Sequence, residues 1–245
     1  MSLCAPLSAN TSPADLIDMV EKAAVDLDGA GAAEILAWAV AEFSPDLAVA
    51  CSMQDGVVVD LAIVADPGIE VAFLDTGFHF PETLETARLL RERYDLNLRT
   101  IRAAVDAASW FAQGTEACCD ARKVAPLEDY LAGKRAWITG LRRDESASRT
   151  TARAVEWDAR RQVVKVNPIV AWTDEEVERY IAVHDIIVNP LRARGYASIG
   201  CAPCTVPGTG REGRWKGSEQ LECGLHAPLE PSRRRLAVDV DLRSA

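Results

Sequence analysis

Short apolar runs separated by helical patterns fill the first 140 residues, and that alternation leaves few folds open to the chain. Leu47-Ala-Val-Ala-Cys51, Val71-Ala-Phe-Leu74, Leu96–Ile101 and Ala136-Trp-Ile-Thr139 read as strands. Between them lie the helical segments Gly56–Ala65 and Pro81–Tyr94, the latter with proline in its first turn, and helical patterns near Val105–Phe111 and Ala121–Leu131. Strands without polar alternation are covered on both faces, which calls for parallel neighbours joined by helical crossovers, and such crossovers are right-handed. The expected fold is therefore α/β, a doubly wound and mostly parallel sheet. Two amphipathic helices precede it. One starts at Ser12-Pro13-x-Asp15 and presents Leu16, Ile17, Met19 and Val20; the other presents Ile35, Leu36, Ala39, Val40 and Phe43.

Ligands of such sheets sit at the carboxyl ends of the strands. The polar segments leaving those ends are Ser52–Gly56, Asp75–His79 and Gly140–Arg149, and they are expected to converge. Beyond Arg149 the pattern loosens. Val163–Val166 reads as a strand, and Thr173-Asp-Glu-Glu176 as a capping box that opens the helix Glu175–His184. From Asn189 onward glycine, proline and arginine dominate, which implies loops or short helices. One domain is expected over 1–245, with N-terminal helices over 1–44, the α/β core over 45–205 and a mobile, loop-rich C-terminal segment over 206–245.

A compact chain of 245 residues buries roughly 70% of its unfolded surface and needs no covalent staples. Its longest apolar stretch, Leu47–Ala65, is broken by Ser52–Gly56 and by Asp60, so no membrane span is expected. Met1–Pro13 has neither a basic nor an apolar leader region, which points to the cytoplasm. With 27 Lys+Arg against 37 Asp+Glu the formal charge is −10, which argues against broad phosphate-driven binding of nucleic acid.

Seven cysteines in a chain read as cytoplasmic point to metal binding or catalysis rather than disulfides. Cys118 and Cys119 are adjacent, Cys201 and Cys204 form Cys-Ala-Pro-Cys, and Cys223 stands alone in Glu-Cys-Gly-Leu-His. The two pairs supply four thiolates, the number that a [4Fe–4S] cube or a tetrahedral zinc site requires. Spacing does not choose between them, although adjacent cysteines must both turn toward one centre. Cys51, inside an apolar strand, is expected to pack in the core, and Cys4 to be incidental.

Five segments resemble the assimilatory sulfonucleotide reductases, in particular the iron–sulfur adenylyl-sulfate (APS) reductases. They are Leu74-Asp-Thr-Gly77 followed by Glu82-Thr83, Cys118-Cys119-x-x-Arg122-Lys123-Val-x-Pro-Leu127, Thr139-Gly-Leu-Arg-Arg-Asp-Glu-Ser146, Gly200-Cys-x-Pro-Cys-Thr205 and Glu222-Cys-Gly-Leu-His226. The resemblance implies a fold of the adenine-nucleotide α-hydrolase kind. It implies one [4Fe–4S] cluster per subunit on Cys118, Cys119, Cys201 and Cys204. It further implies that the Cys223 thiolate attacks the sulfur of APS, expels AMP and leaves an S-sulfocysteine, from which thioredoxin or a glutaredoxin-like protein releases sulfite. Lys123 then stands between cluster and substrate, and Arg149, Arg211 and Arg214 face the substrate's anionic groups. Leu74, Asp75, Thr76, Gly77 and Gly140 are placed against the nucleotide, and Ser52 and Gln54 near it. His226 assists the nucleophile or binds substrate, while His79 and His184 are structural. The partners implied are a small sulfonucleotide and a protein reductant, with no nucleic acid and no membrane; homo-oligomerisation is left open.

Elementary chemistry agrees with this picture. An anion attacking an ester that is already anionic meets Coulomb repulsion, so the site must supply cations. Despite the charge of −10, Arg122, Lys123, Arg142, Arg143, Arg149, Arg211 and Arg214 cluster in the motifs. The loop Cys51-Ser-Met-Gln-Asp-Gly56 lacks the full glycine nest of the pyrophosphatases of this fold, as suits a substrate with no pyrophosphate to cleave. Two competing readings remain at this stage. One is a reductase for the 3′-phosphorylated substrate (PAPS), whose members generally lack the two cysteine pairs. The other is a non-enzymatic iron–sulfur or zinc protein that senses redox state.

Overall fold

The computed structural model describes residues 12–103, 112–218, 220 and 222–226. Cys4, the helical pattern at Val105–Phe111 and the chain after His226 lie outside the described residues. Two helices come first, α1 (Pro13–Asp26) and α2 (Ala32–Phe43). The alternation then follows as β1 (Leu47–Ala50), α3 (Val57–Ala65), β2 (Glu70–Asp75), α4 (Pro81–Tyr94) and β3 (Asn97–Arg102). A helical stretch, α5 (Thr115–Cys119), a π-helical turn (Asp120–Val124) and α6 (Ala125–Leu131), leads to β4 (Ala136–Thr139). The hairpin β5 (Val155–Asp158) and β6 (Val163–Val166) and the helix α7 (Asp174–His184) complete the regular elements.

Local chemistry accounts for the helix boundaries. Ser12 caps α1 and exchanges hydrogen bonds with Asp15, and Thr173 does the same with Glu176 at the start of α7. Asp95 and Asp185 close α4 and α7 in the left-handed conformation.

The six strands form one sheet in the order β3-β2-β1-β4-β6-β5. All neighbours are parallel except β5 and β6, which pair antiparallel with Val155 opposite Val166 and Trp157 opposite Val164. The β5 strand was not expected from the sequence, because its Val-Glu-Trp-Asp run is too short and too polar to stand out. It is an edge strand supported by α1 and by Trp157 packing on the main core. The centre of the sheet is dry: Val49, Val71, Ile138, Val164 and Val166 are completely buried, and Leu36 and Ala39 of α2 cover them.

The strand order positions the site. The chain runs outward from β1 through β2 to β3, then returns to the other side of β1 to lay down β4. The loops leaving β1 and β4 therefore part in opposite directions, and a crevice opens between them at the carboxyl edge.

Candidate active site

A cavity of about 220 Å³ occupies that crevice. The segments expected to converge do so. Ser52 and Gln54 after β1, Leu74 and His79 around the end of β2, and Gly140, Glu145 and Arg149 after β4 all line it. The C-terminal part of the chain closes the opposite side with Arg211, Arg214, Cys223 and His226, and Lys123 enters from the π-helical turn.

Ser52–Gly56 is pinned by distant partners. The Gln54 side chain accepts from the Ile199 amide at 3.0 Å, and its own carbonyl accepts from the Asn189 amide at 3.0 Å. Asn189, fully buried, donates to Thr83 Oγ1 at 3.0 Å and to the Met53 carbonyl at 3.3 Å. Asp55 receives the Val57 amide at 3.2 Å, and burial raises its carboxyl above the usual range. Cys51 is half-buried, packs against the main core as expected and also lines the cavity. Desolvation pushes its thiol up to about 12, and the Asp55 charge adds to that shift.

Asp75, Thr76 and Gly77 do not line this cavity. Asp75 receives the Gly77 amide at 3.0 Å and pairs with Arg102 at 2.8 Å. Thr76 turns to the neighbouring chamber, where its hydroxyl lies 3.3 Å from Cys201 Sγ and its carbonyl accepts from Arg122 at 2.5 Å. Of the three, only Thr76 borders that chamber and meets a thiol. His79 is structural in that Nε2 bonds the Leu74 carbonyl at 2.9 Å and the ring lies against Phe73. It also borders the cavity, with Nδ1 buried and unpartnered. His184 stacks on Tyr180, with ring centres 4.0 Å apart.

The chamber behind Lys123 is lined by Cys118, Cys119, Cys201 and Cys204 together. The adjacent pair meets it at the C-terminal end of α5, where the π turn begins. Arg122 lies over the Phe78 ring at 4.9 Å and borders the chamber. The Cys204 thiol supports the Cys201 thiolate by hydrogen bonding, and the Lys123 charge adds to this, so Cys201 is shifted well below an ordinary thiol. Among the described residues no three His, Cys, Asp or Glu side chains gather tightly round a single ion position. Four thiols round one chamber are the number of donors that a cube or a tetrahedral ion requires.

Lys123 links chamber and cavity. Burial opposes its charge, but the Cys201, Cys223 and Cys119 sulfurs outweigh that cost and raise its pKa. Trp215, buried and in a left-handed conformation, lies between Arg211 and Arg214 at 5.2 and 4.6 Å and packs against Cys119 and Cys223. Arg214 is seated against the backbone of Gly200, where a Cβ would come within 2.6 Å of the guanidinium.

His226 stacks on Trp137 with ring centres 5.8 Å apart and planes 4° from parallel. Desolvation, then repulsion from Lys165, Arg149, Arg161 and Arg211, holds its pKa well below the usual value. The ring is neutral at neutral pH, so it is not the positive neighbour that would favour the Cys223 thiolate. The cations beside Cys223 are Lys123 and Arg149. Sequence reasoning did not single out Glu222 as a site residue. Its carboxylate is held by Arg149 and Arg211, and its position directly before Cys223 was the available signal.

The strand order and the crevice at the carboxyl edge define an α/β protein with the fold of the adenine-nucleotide α-hydrolase type. Solved structures agree on the fold. PAPS reductase from Candida auris in a phosphate complex superposes with a TM-score of 0.66 at 24% identity, over 82% of this chain and all of that one. Yeast FAD synthetase in complex with FAD gives 0.53 at 13% identity, over 80% and 75%. Residues 45–207 match the phosphoadenosine phosphosulfate reductase domain family, and the chain belongs to it. Adenosine 5′-phosphosulfate reductase of Rhodococcus erythropolis is 44% identical over 235 residues, covering 87% of this chain and 95% of that protein. The protein of the same name from Streptomyces coelicolor is 45% identical over 224 residues, covering 86% and 95%. Among the described residues no helix is long and apolar enough to cross a membrane.

Proposed function

We propose that the chain reduces adenylyl sulfate to sulfite and AMP through an S-sulfocysteine on Cys223, with thioredoxin or a similar dithiol protein as reductant. The observation that carries this reading is Cys223 itself, a thiol 9% exposed that faces the crevice beside Lys123. The relatives named as APS reductases favour APS over PAPS as substrate.

The chemistry balances in two stages. The Cys223 thiolate attacks the sulfuryl sulfur; an S–S bond forms, the S–O bond to the AMP phosphate breaks, and AMP departs with the electron pair. Lys123, Arg211 and Arg214 offset the charge gathering on the oxygens. One thiolate of the reductant then attacks Cys223 Sγ, expels sulfite and forms a mixed disulfide. The second reductant thiol breaks that bond, so the dithiol is oxidised by two electrons and Cys223 is free again. The four chamber cysteines fit a [4Fe–4S] cluster, which when bound supplies a fixed anionic centre behind Lys123 and ties α5 to the Cys201–Cys204 turn. Ser52, Gln54, Leu74 and Gly140 border the space for the nucleotide. Thr76 borders the chamber instead. A thiol this buried is beyond the reach of a protein partner, so the C-terminal segment must open between the two stages.

A single turnover with APS and no reductant, read by intact mass spectrometry, tests the proposal. An adduct of about one SO3 on Cys223, absent in Cys223→Ser, is expected. PAPS in a parallel arm decides the substrate, and iron and sulfide analysis decides the cluster. Iron-loaded protein that forms no adduct with either nucleotide would leave the redox-sensing reading in its place.

A further inference from the structure

The segment Glu222–His226 crosses the mouth of the cavity, and its two ends are anchored by different means. At the far end the Leu225 carbonyl accepts from Arg161 at 3.1 Å and His226 stacks on Trp137. At the near end the Glu222 carboxylate collects donors from two segments, Ser146–Arg149 and Arg211. Arg149 Nε donates to Oε1 at 3.0 Å and Arg149 Nη2 to Oε2 at 3.1 Å, a two-pronged pair. Arg211 Nη2 donates to Oε2 at 2.9 Å, and the Ser146 and Ser148 hydroxyls donate to Oε1 at 3.3 and 3.4 Å. The remaining nitrogen of Arg149, Nη1, binds Glu145. The Arg149 guanidinium is thus divided between two carboxylates, and Arg149 is itself 7% exposed.

We infer that Glu222 is the positioning residue of the nucleophile, which it seats for the first half-reaction; this rests on the proposed role of Cys223. Cys223 is the next residue along, and among the described residues no other ion pair tethers the segment on that side. Gly224, at φ +82°, then turns the chain toward its second anchor, where a Cβ would press on Val124 at 3.3 Å. In this arrangement Arg149 acts on the segment that carries the thiol. Among the described residues Lys123 and Arg214 are cavity-lining cations paired with no carboxylate, and they remain open to the substrate's anionic groups.

The test separates the two half-reactions in the iron-loaded enzyme. Wild type, Glu222→Gln and Glu222→Asp are each given APS without reductant, and adduct formation is timed by mass spectrometry. Preformed adduct is then discharged with reduced thioredoxin, and AMP binding is titrated separately. Glu222→Gln should slow adduct formation about 10- to 100-fold, because a small misplacement of a reacting atom costs that much. AMP affinity should stay within about twofold and discharge should be as fast or faster, with Glu222→Asp recovering part of the loss. A merely structural role would slow both stages together and does not fit the inference. Adduct formation by Glu222→Gln within about twofold of wild type would overturn it, as would a Gln variant that binds AMP more tightly and reacts faster, since Glu222 would then be a competitor for the anion site. No adduct even on wild type would instead remove the nucleophile reading and this inference with it.

Discussion

Two cysteines look into one cavity from opposite walls, and their surroundings could hardly differ more. Cys51 follows directly on β1, accepts the Met53 amide at 3.4 Å and sits beside the Asp55 carboxyl. Cys223 lies on the C-terminal segment beside Lys123 and Arg149. The first wall is built by the sheet and shares its apolar core, so it cannot move without unfolding. The second is held by arginine–carboxylate contacts, one carbonyl and one ring stack, which can be broken while the core stays intact. A thiol that must meet a small substrate first and a protein later belongs on the second wall.

The sharpest way to test this division is Cys223→Ser. Sulfite release should fall by at least about 10³-fold, while the thermal midpoint stays within a few degrees. Retained turnover above that level would show that the movable wall does not carry the chemistry.

The sheet wall was readable in the sequence and much of the movable wall was not. Apolar runs such as Val71–Leu74 and Ala136–Thr139 declare buried strands because nothing else tolerates so many adjacent apolar side chains. Pro81 and the Thr173 capping box announce helix starts through chemistry internal to a few residues. The β5 strand escaped because its stability comes from α1 and Trp157, which no local pattern records. The same holds for Asp75, Thr76 and Gly77, whose letters suit a nucleotide contact or a brace equally well. Glu222 is legible only once Arg149 and Arg211 are seen to meet it across 73 and 11 residues of chain.

The reverse of the Cys223 experiment is Leu36→Ala. Leu36 is completely buried under the sheet, and its truncation should cost about 2–5 kcal/mol in chemical denaturation. Adduct formation per folded molecule should be unchanged within about twofold. A comparable loss in rate at full folding would mean that the core reaches the nucleophile directly, and the two walls would no longer be separable.

A smaller effect should come from pH. In the seated segment His226 resists protonation, because its ring is desolvated and Lys165, Arg149, Arg161 and Arg211 repel a further charge. In the released segment the ring titrates near its ordinary value of about 6.5. Below that pH the released form binds a proton that the seated form does not, so seating weakens as pH falls. The slope is up to about 1.4 kcal/mol per pH unit for one proton. Tryptic cleavage in the Arg211–Lys216 stretch should therefore accelerate from pH 6.5 downward relative to a reference protein, and His226→Gln should flatten the rise. Equal slopes in the two proteins would assign the acid sensitivity to another group.

The smallest expected signal is at Cys51, and its smallness is the point. Accessibility alone would make this half-buried, cavity-lining thiol a target for a small alkylating agent. Reactivity, however, follows the thiolate, and a thiol pushed up to about 12 carries only ~10⁻⁴ of its population as thiolate at pH 8. Brief iodoacetamide treatment of the iron-loaded enzyme at that pH should leave Cys51 unlabelled by peptide mapping, and prior addition of AMP should not change that result. Prompt labelling of Cys51 would show that the fixed wall does not suppress its thiolate, and that facing this cavity is enough to make a cysteine reactive. If Cys51 stays silent, facing the cavity is not enough to make a cysteine reactive, because desolvation, with the Asp55 charge adding to it, suppresses the thiolate.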